Sequence, residues 1–406
     1  MKRILLFAAT TGYQVRVFAD AARAMGLDLV LATDRCHVLE NPWGDDAVPI
    51  RFEDTAASMD ALISRGPFDG IVAVGDQPAV AAATVAARLG LRFSPRDAAS
   101  AAKNKFLAHE RFRRAGLNVA SGSLLPQRAD AGAKSRNTRY PCVLKPIALS
   151  ASRGVIRADD PIQFVEAFER IQKILEGEEV HSIQVEDFIP GREFALEGLV
   201  TGGRLQTLAL FDKPDPLDGP FFEETIYLTP SREPDAVQAS IMEATQRAVG
   251  ALGLTFGPIH AEMRVNDGGV WMLEVAARPI GGLCGRVVRF DGHRSLEEII
   301  LRHALGEDVS PSQLLPGAHG VMMIRIPRAG VFLGVDGVDA ARQVPGVEDL
   351  VITAKEGQML VPLPEGASYA GFIFARGASP ELVDRALRAA HSQLNFQLQT
   401  ALPVVR

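Results

Sequence analysis

The sequence is poor in cysteine. It contains three, Cys36, Cys142 and Cys284, which lie far apart and form no CxxC pair. An odd, scattered set of this kind excludes a disulfide framework and a cysteine-ligated zinc site. We therefore expect buried free thiols in a protein that resides in the reducing cytoplasm.

Long apolar runs and an excess of positive charge are missing as well. The N-terminal segment "MKRILLFAATTGYQV" has an apolar run of about five residues, too short for a signal peptide or a membrane span. The formal net charge of -6 argues against a general nucleic-acid binder. We expect neither a membrane nor a nucleic acid as a partner, and the first apolar run is predicted to be a buried strand.

What is present is a chain of 406 residues, long enough for several domains, whose first part alternates strand and helix patterns. Apolar runs at Ile4–Ala9, Leu27–Thr33 and Phe68–Asp76 predict strands. Helices are predicted at Val15–Met25 and Pro78–Gly90, the latter with Pro at its start and Gly at its end. This alternation is typical of a doubly wound α/β domain with a parallel sheet. No GxGxxG follows the first strand, so a dinucleotide site there is not expected.

The rest of the chain mixes the two patterns. Two short helices broken near Asn104 are predicted within Ser94–Ala120, and longer helices at Pro234–Gly253 and Pro380–Leu394. Between and after them lie strand-like segments separated by glycine and proline. A mixed α and β architecture follows.

Two glutamates fall on neighbouring strands of a predicted hairpin. The segments "PIHAEMRV" and "VWMLEVAA" flank "NDGG", a strong turn signal. A three-residue loop would place Asn266 opposite Val270 and Glu262 opposite Glu274, with Met272 on the face of Glu274. Opposed carboxylates destabilise a sheet unless a hard cation such as Mg²⁺ lies between them. The alternative is a pair of solvated glutamates.

Lys145 interrupts the apolar run of "YPCVLKP" and, once buried, needs an anionic partner. The small residues Ser150–Gly154 follow, and such a loop lets main-chain N–H groups approach phosphate oxygens. A snorkelling lysine before an ordinary turn is the alternative.

Further on, "QVEDFIPGREFALEG" contains a Pro-Gly turn before Glu193, where main-chain groups could contact adenine and a carboxylate could bind ribose. A plain surface turn would look the same.

Taken in order, the lysine, the small-residue loop, the turn before Glu193 and a hairpin ending in E-x-x-x-R resemble the ATP-grasp superfamily. The similarity runs from about Lys103 to about Asp291. The segment "EVAARPIGG" is most similar to the carboxylate–amine ligases that include the L-amino acid ligases. The tail after Val321 is similar to the small β-rich C-terminal subdomain of these ligases.

The resemblance implies a fold and a set of site residues. The fold is α/β of the ATP-grasp type, with four segments: an N-terminal domain 1–102, a central lid domain 103–190, a domain with the metal site 191–315 and a C-terminal subdomain 316–406. The implied ATP-binding residues are Lys105, Lys145, Ser150, Ser152, Arg153, Gly154, Glu186, Asp187, Phe188, Ile189 and Glu193, with adenine contacted by the main chain of Glu186 and Ile189. The implied metal ligands are Glu262 and Glu274, and the implied catalytic residues are Arg278, Lys145 and Lys213, the last near the phosphates. Many ATP-grasp enzymes carry a further ligand, Asn, at the position of Ala276, a departure that agrees with the amino acid ligase branch.

Substrate contacts are expected at Glu223, His260, Gly281, Gly282 and Arg286. A surface loop around Glu223 and a packing or supporting role for His260 are the alternatives. The resemblance implies ATP and Mg²⁺, with Mn²⁺ as a substitute, small-molecule carboxylate and amine substrates, and possible homodimers. The carboxylate would attack the γ-phosphate, and the amine would attack the resulting acyl phosphate. Alternatives are an ATP-grasp enzyme with another acceptor, carboxylating or thiol-ligating, a non-catalytic ATP-binding regulator and, more remotely, a dehydrogenase.

Overall fold

The computed structural model describes residues 1–9, 13–34, 46–178, 182–310 and 312–400, and the strands in these ranges form four sheets. Among the helices described, none combines the length and apolar character needed to cross a membrane. Cys142 and Cys284 are buried free thiols, as expected, and Cys36 lies outside the described residues.

The N-terminal sheet is parallel with strand order β3-β2-β1-β4. Its elements are β1 (Arg3–Ala8), α1 (Val15–Ala24), β2 (Asp28–Thr33), β3 (Asp46–Pro49), α2 (Thr55–Ser64), β4 (Gly70–Val74) and α3 (Asp76–Leu89). Alternate side chains of β1 pack on opposite faces: Leu5 and Phe7 join one core, and Ile4 and Leu6 join another. Both faces are therefore covered, which confirms the predicted doubly wound sheet; the pattern had predicted neither β3 nor α2.

Two helices connect this sheet to the rest of the chain: α4 (Arg96–Lys103) and α5 (Lys105–Arg114). They break at Asn104, as predicted. Its extended backbone ends one helix, and its side-chain oxygen accepts a hydrogen bond of 3.0 Å from the Leu107 N–H in the first turn of the next. The break leaves Lys105 as the first residue of α5.

A small antiparallel sheet with order β5-β8-β6-β7 forms the central domain. Its elements are β5 (Gly122–Pro126), α6 (Ala131–Ser135), β6 (Cys142–Pro146), β7 (Ile156–Ala158), α7 (Pro161–Ile174) and β8 (Ser182–Asp187). Phe164, Phe168 and Ile171 of α7 are fully buried against the sheet. The loop between β6 and β7 contains Ser150–Gly154.

The largest sheet has eight strands in the order β13-β12-β9-β10-β11-β14-β18-β16, and a further sheet has the order β17-β15-β19. The strands are β9 (Arg192–Thr201), β10 (Arg204–Lys213), β11 (Ile226–Thr229), β12 (Phe256–Asn266), β13 (Gly269–Ala276), β14 (Ala318–Ile324), β15 (Gly330–Asp336), β16 (Val347–Ile352), β17 (Met359–Leu360), β18 (Gly371–Gly377) and β19 (Asn395–Gln399). The helices are α8 (Asp235–Leu252), α9 (Leu296–Ala304), α10 (Val338–Arg342) and α11 (Pro380–His391), with 3-10 turns at Cys284–Val287 and Asp291–His293. Because β11 pairs with β14, the sheet continues across the predicted boundary at residues 315 and 316.

The β12–β13 hairpin differs from prediction near its turn. The turn has two residues rather than three, so Asn266 pairs with Gly269. A β-bulge at Leu273 then restores the predicted pairing of Glu262 with Glu274. The predicted opposition of the two carboxylates is confirmed, although the turn from which it was counted was wrong.

The same bulge corrects the predicted face of Met272. Met272 pairs with Met263, and both side chains are fully buried in the core on the far side of the sheet from the glutamates. A single extra residue in a strand shifts the alternation of side chains, which a count of every second residue does not detect.

Candidate active site

A cavity of about 380 Å³ lies where the N-terminal sheet, the small sheet and the largest sheet meet. Its size is in the range of small-molecule sites. Most of the site residues predicted from the sequence line it: Lys105, Lys145, Ser150, Ser152, Glu186, Asp187, Phe188, Ile189, Glu193, His260, Glu262, Glu274, Arg278, Gly281 and Gly282. Residues from three separate segments of the chain thus converge on one cavity.

Five predicted residues lie away from the cavity lining: Arg153, Gly154, Lys213, Glu223 and Arg286. Arg153 contacts Glu178 at 2.9 Å and the main-chain oxygen of Glu365 at 3.1 Å, and the N–H of Gly154 donates to Pro364. Both therefore hold the loop after β6 against the C-terminal subdomain instead of facing the cavity.

The two predicted substrate residues among these five have partners elsewhere. The carboxylate of Glu223 lies 4.0 Å from the guanidinium of Arg325. Arg286 forms an ion pair of 2.7 Å with Asp349 and stacks over the ring of Phe374 at 4.2 Å. Each charge already has a partner outside the cavity, so the predicted substrate contacts of Glu223 and Arg286 are not supported by the geometry.

Lys145 lies at the end of β6 with its ammonium 2.6 Å from the carboxylate of Glu186, the anionic partner that its burial required. Burial raises the pKa of Glu186, but Lys145 outweighs this and holds the pKa below its usual range. The main chain of Glu186 pairs with strands on both sides, so its amide and carbonyl belong to the sheet. The predicted main-chain contact to adenine therefore falls to Ile189, and Glu186 contributes its carboxylate.

His109, which sequence reasoning missed, connects the Lys145–Glu186 pair to the β12–β13 hairpin. Its Nε2 lies 2.9 Å from the carbonyl oxygen of Leu273, the bulge residue. Burial, reinforced by Lys145, lowers the pKa of His109 to about 4, so the ring is neutral at pH 7. Because a carbonyl only accepts, Nε2 carries the proton, and Nδ1 accepts from the Gln184 amide at 3.4 Å. The bulge thus has a specific tertiary partner.

Glu262 and Glu274 present carboxylates to the cavity from adjacent strands, and Lys105 lies 3.5 Å from Glu274. Oε1 of Glu262 is contacted by Lys213 at 2.9 Å, by Nε2 of His260 at 3.4 Å and by Tyr227 at 3.5 Å. Two carboxylates beside lysines that could bind phosphate are a donor set that fits Mg²⁺.

Lys213 is buried behind these groups and does not line the cavity. Its ammonium lies 2.9 Å from Glu193, 2.6 Å from Glu224 and 2.9 Å from Glu262. Burial alone would lower the pKa of Lys213, but the three carboxylates raise it well above its ordinary value. An ammonium has three N–H donors, and all three are used here. The predicted contact of Lys213 with the phosphates is therefore not supported.

His260 is held by a second buried acid that the sequence analysis did not single out. Its Nδ1 lies 2.5 Å from Glu197, whose other carboxylate oxygen accepts a hydrogen bond of 3.1 Å from the N–H of Ile280. Burial lowers the pKa of His260, but Glu197 and Glu262 outweigh it and raise the pKa to about 9. Gln14 donates to the carbonyl of Ile280. The N–H and the carbonyl of Ile280 are thus both hydrogen-bonded, immediately before Gly281 and Gly282.

Arg278 forms an ion pair with Asp76, with 3.0 Å between Nε and Oδ1. Asp76 follows β4 at the carboxyl end of the parallel sheet, an edge at which ligand sites commonly lie. Burial raises the pKa of Asp76, but Arg278 and Lys105 outweigh it and lower the pKa. A charged residue two positions after the end of a buried parallel strand was the available signal for Asp76, and the prediction omitted it.

The remaining wall of the cavity is apolar and aromatic. Tyr13 and Tyr369 both line it and pack edge-on against Phe372, with ring centroids 5.6 Å and 6.0 Å away. Met323 and Cys284 also line the cavity. The cavity therefore has charged walls at the paired glutamates and lysines, and a hydrophobic wall contributed by the N-terminal domain and the C-terminal strands.

Three family models match successive parts of the chain. The ATP-grasp N-terminal domain matches residues 19–92, the ATP-grasp domain matches residues 138–287, and the L-amino acid ligase C-terminal domain 2 matches residues 322–399. The resemblance expected from the sequence is confirmed by these matches, which lie in the expected order.

The chain also resembles proteins of known activity. The crystal structure of L-amino acid ligase from Bacillus licheniformis is 25% identical, with a TM-score of 0.84 over 98% of this chain and 99% of that chain. Dapdiamide A synthase of Enterobacter agglomerans is 29% identical over 48% of this chain and 46% of that protein. Alanine–anticapsin ligase of Bacillus subtilis (strain 168) is 26% identical over 48% and 45%. The last two alignments span about half of each relative's length.

Proposed function

This chain belongs to the ATP-grasp superfamily of ATP-dependent ligases, and we propose that it joins a carboxylate to an amine, both from amino acids, through an acyl phosphate. The observation that carries the proposal is the convergence of Lys145, the Glu262–Glu274 pair and Arg278 on one cavity. These groups supply the positive charge and the metal ligands that phosphoryl transfer requires.

ATP would bind at the charged wall. Lys145 and Lys105 would contact its phosphates, beneath the loop that contains Ser150 and Ser152. Ile189 would contact adenine through its main chain. Mg²⁺ held by Glu262 and Glu274 would neutralise charge on the phosphate oxygens. Little covalent chemistry then falls to the protein, whose side chains position the reactants.

The reaction takes place in two steps. A carboxylate oxygen forms a bond to the γ-phosphorus while the bond to the ADP oxygen breaks, giving an acyl phosphate. The nitrogen of the amine, which loses a proton, then attacks the acyl carbon, and inorganic phosphate leaves. Arg278, oriented by Asp76, supplies positive charge to the transferred phosphate and to the tetrahedral oxyanion.

The hydrophobic wall supports amino acids with apolar side chains as substrates. Tyr13, Tyr369 and Met323 line the cavity together with the proposed nucleotide-binding residues. The likeness to an L-amino acid ligase over nearly the whole chain supports the same substrate class. A homodimer stays a prediction.

The test is a screen for ADP release with pairs of amino acids, in the presence of ATP and Mg²⁺. We expect release that depends on both amino acids, and mass spectrometry should identify the dipeptide. The Glu274→Gln variant should lose this activity, whereas Lys173→Ala, which removes an exposed charge from α7, should retain it. ADP release that needs only bicarbonate or a thiol would favour the other acceptors, and ATP binding without any turnover would favour a regulator.

A further inference from the structure

We propose that Lys213 is a built-in cation that fills a potential metal site formed by Glu193, Glu224 and Glu262. It would exclude a metal ion there and leave Mg²⁺ to the Glu262–Glu274 pair. The inference rests on the proposed function for the place of that Mg²⁺. Its test needs neither ATP nor turnover, so the two can fail separately.

The three carboxylates have the arrangement of a metal centre. One oxygen of each lies within 4.8 Å of the other two, close enough to share a single ion. Carboxylates gathered in this way repel one another and need a cation among them. The cation present is the Lys213 ammonium, in contact with all three and with its side chain only 3% exposed.

A neighbouring arginine binds the oxygen of Glu193 that Lys213 does not contact. The second oxygen of Glu193 accepts from Arg264 Nε at 2.9 Å, so this carboxylate is bound on both sides. Arg264 is itself fixed by the carbonyl of Ile189 at 2.7 Å. Glu193 is thus held between two cations, and while Lys213 is in place both of its oxygens are occupied.

The ammonium also fixes one of the proposed Mg²⁺ ligands. Lys213 contacts Oε1 of Glu262 and so orients the carboxylate on the side opposite Oε2. On β13, Ala276 lies two residues beyond Glu274 and offers no ligand atom. The hairpin therefore provides two carboxylates for one ion, and the positive charge beside it comes from the protein.

The inference is tested by counting Mn²⁺ ions bound to the nucleotide-free protein, by electron paramagnetic resonance and by calorimetry. Lys213→Ala removes the ammonium and leaves space, and we expect it to bind one more Mn²⁺ than the wild type. Lys213→Met fills the space with an uncharged chain and should not gain this site. Adding Glu224→Gln to Lys213→Ala should remove the extra site.

Thermal melts show whether each variant is folded, and Lys213→Ala should be stabilised by Mn²⁺ more than the wild type. Lys173→Ala, with the same change in net charge on an exposed helix surface, should behave as the wild type. The inference is overturned if folded Lys213→Ala binds no additional Mn²⁺. If Lys213→Ala does not fold, Glu224→Gln alone decides: an unchanged Mn²⁺ count supports the inference, and a reduced count shows that the wild type already held a metal there.

Discussion

Two buried lysines beside the same cavity have different surroundings. The side chain of Lys145 is 8% exposed and that of Lys213 is 3% exposed, so burial does not distinguish them. Among the described residues, Lys145 has one carboxylate partner, Glu186, whereas Lys213 has three. Lys145 retains N–H donors for a ligand and Lys213 does not. The number of donors left over, rather than burial or charge, identifies the lysine that can bind phosphate.

The largest effect is expected from removing the ammonium of Lys213, which the carboxylates of Glu193, Glu224 and Glu262 share. Lys213→Met leaves three carboxylates without their shared cation, and removing one partner from a buried ionic group costs about 3–5 kcal/mol. Urea unfolding should show this loss in the free energy of unfolding. Lys213→Met/Glu224→Gln should recover part of it because one repelling carboxylate becomes neutral. Equal stability of Lys213→Met and the wild type would contradict the structural role of Lys213.

The second-largest effect is expected at Lys145, which, unlike Lys213, should contact the phosphates of ATP. Lys145→Met should lower kcat/KM for ATP by about 10²–10³-fold, the usual loss when a group that stabilises transferred charge is removed. Steady-state kinetics and nucleotide binding by calorimetry measure the change. An unchanged affinity for ATP in a folded Lys145→Met protein would show that Lys145 pairs only with Glu186.

How far the sequence predicts the site depends on the separation of the partners in the chain. Lys145 had to have an anionic partner, and the Glu262–Glu274 pairing followed from a local hairpin even though the turn was counted wrongly. Arg278 and Asp76, by contrast, are separated by 202 residues. Nothing in the local pattern joins them, and the same holds for His109 with Leu273.

In the fold, too, local features were predicted and contacts between distant segments of the chain were not. The parallel sheet of the first domain follows from local alternation and was predicted strand by strand, apart from the short β3. The continuation of the largest sheet from β11 to β14 was not predicted, because that pairing joins strands on either side of a long intervening segment. Sequence patterns identify the strands, and tertiary packing decides which of them become neighbours.

A smaller effect is expected at the arginine whose partner was missed. Asp76→Asn keeps the shape of the side chain but removes the charge that orients Arg278, and a hydrogen bond to a charged group contributes about 1.5–3 kcal/mol. We expect kcat to fall by about 10–100-fold while KM for ATP stays near the wild-type value. Arg278→Lys should give a similar loss, and adding Asp76→Asn to it should cost little more. A change confined to KM for ATP would place Asp76 with the nucleotide instead.

The smallest effect concerns the neutral histidine beside Lys145. The pKa of His109 is lowered to about 4 in the folded protein, from 6.5 in its ordinary state, because burial and Lys145 disfavour its charge. As the pH falls from about 6.5 towards 4, the unfolded chain binds a proton at this position before the folded chain does, so stability decreases. His109→Gln retains a donor for the Leu273 carbonyl but does not titrate, and its free energy of unfolding should fall less steeply over this range. His303, whose pKa is also lowered to about 4, and His319 and His391, whose pKa values are lowered by burial, stay in both proteins and contribute to the remaining slope. If the free energy of unfolding changed with pH in parallel for His109→Gln and the wild type between pH 7 and 5, His109 would already be protonated in the folded protein. Glu186 would then pair with two cations, His109 and Lys145, instead of with Lys145 alone.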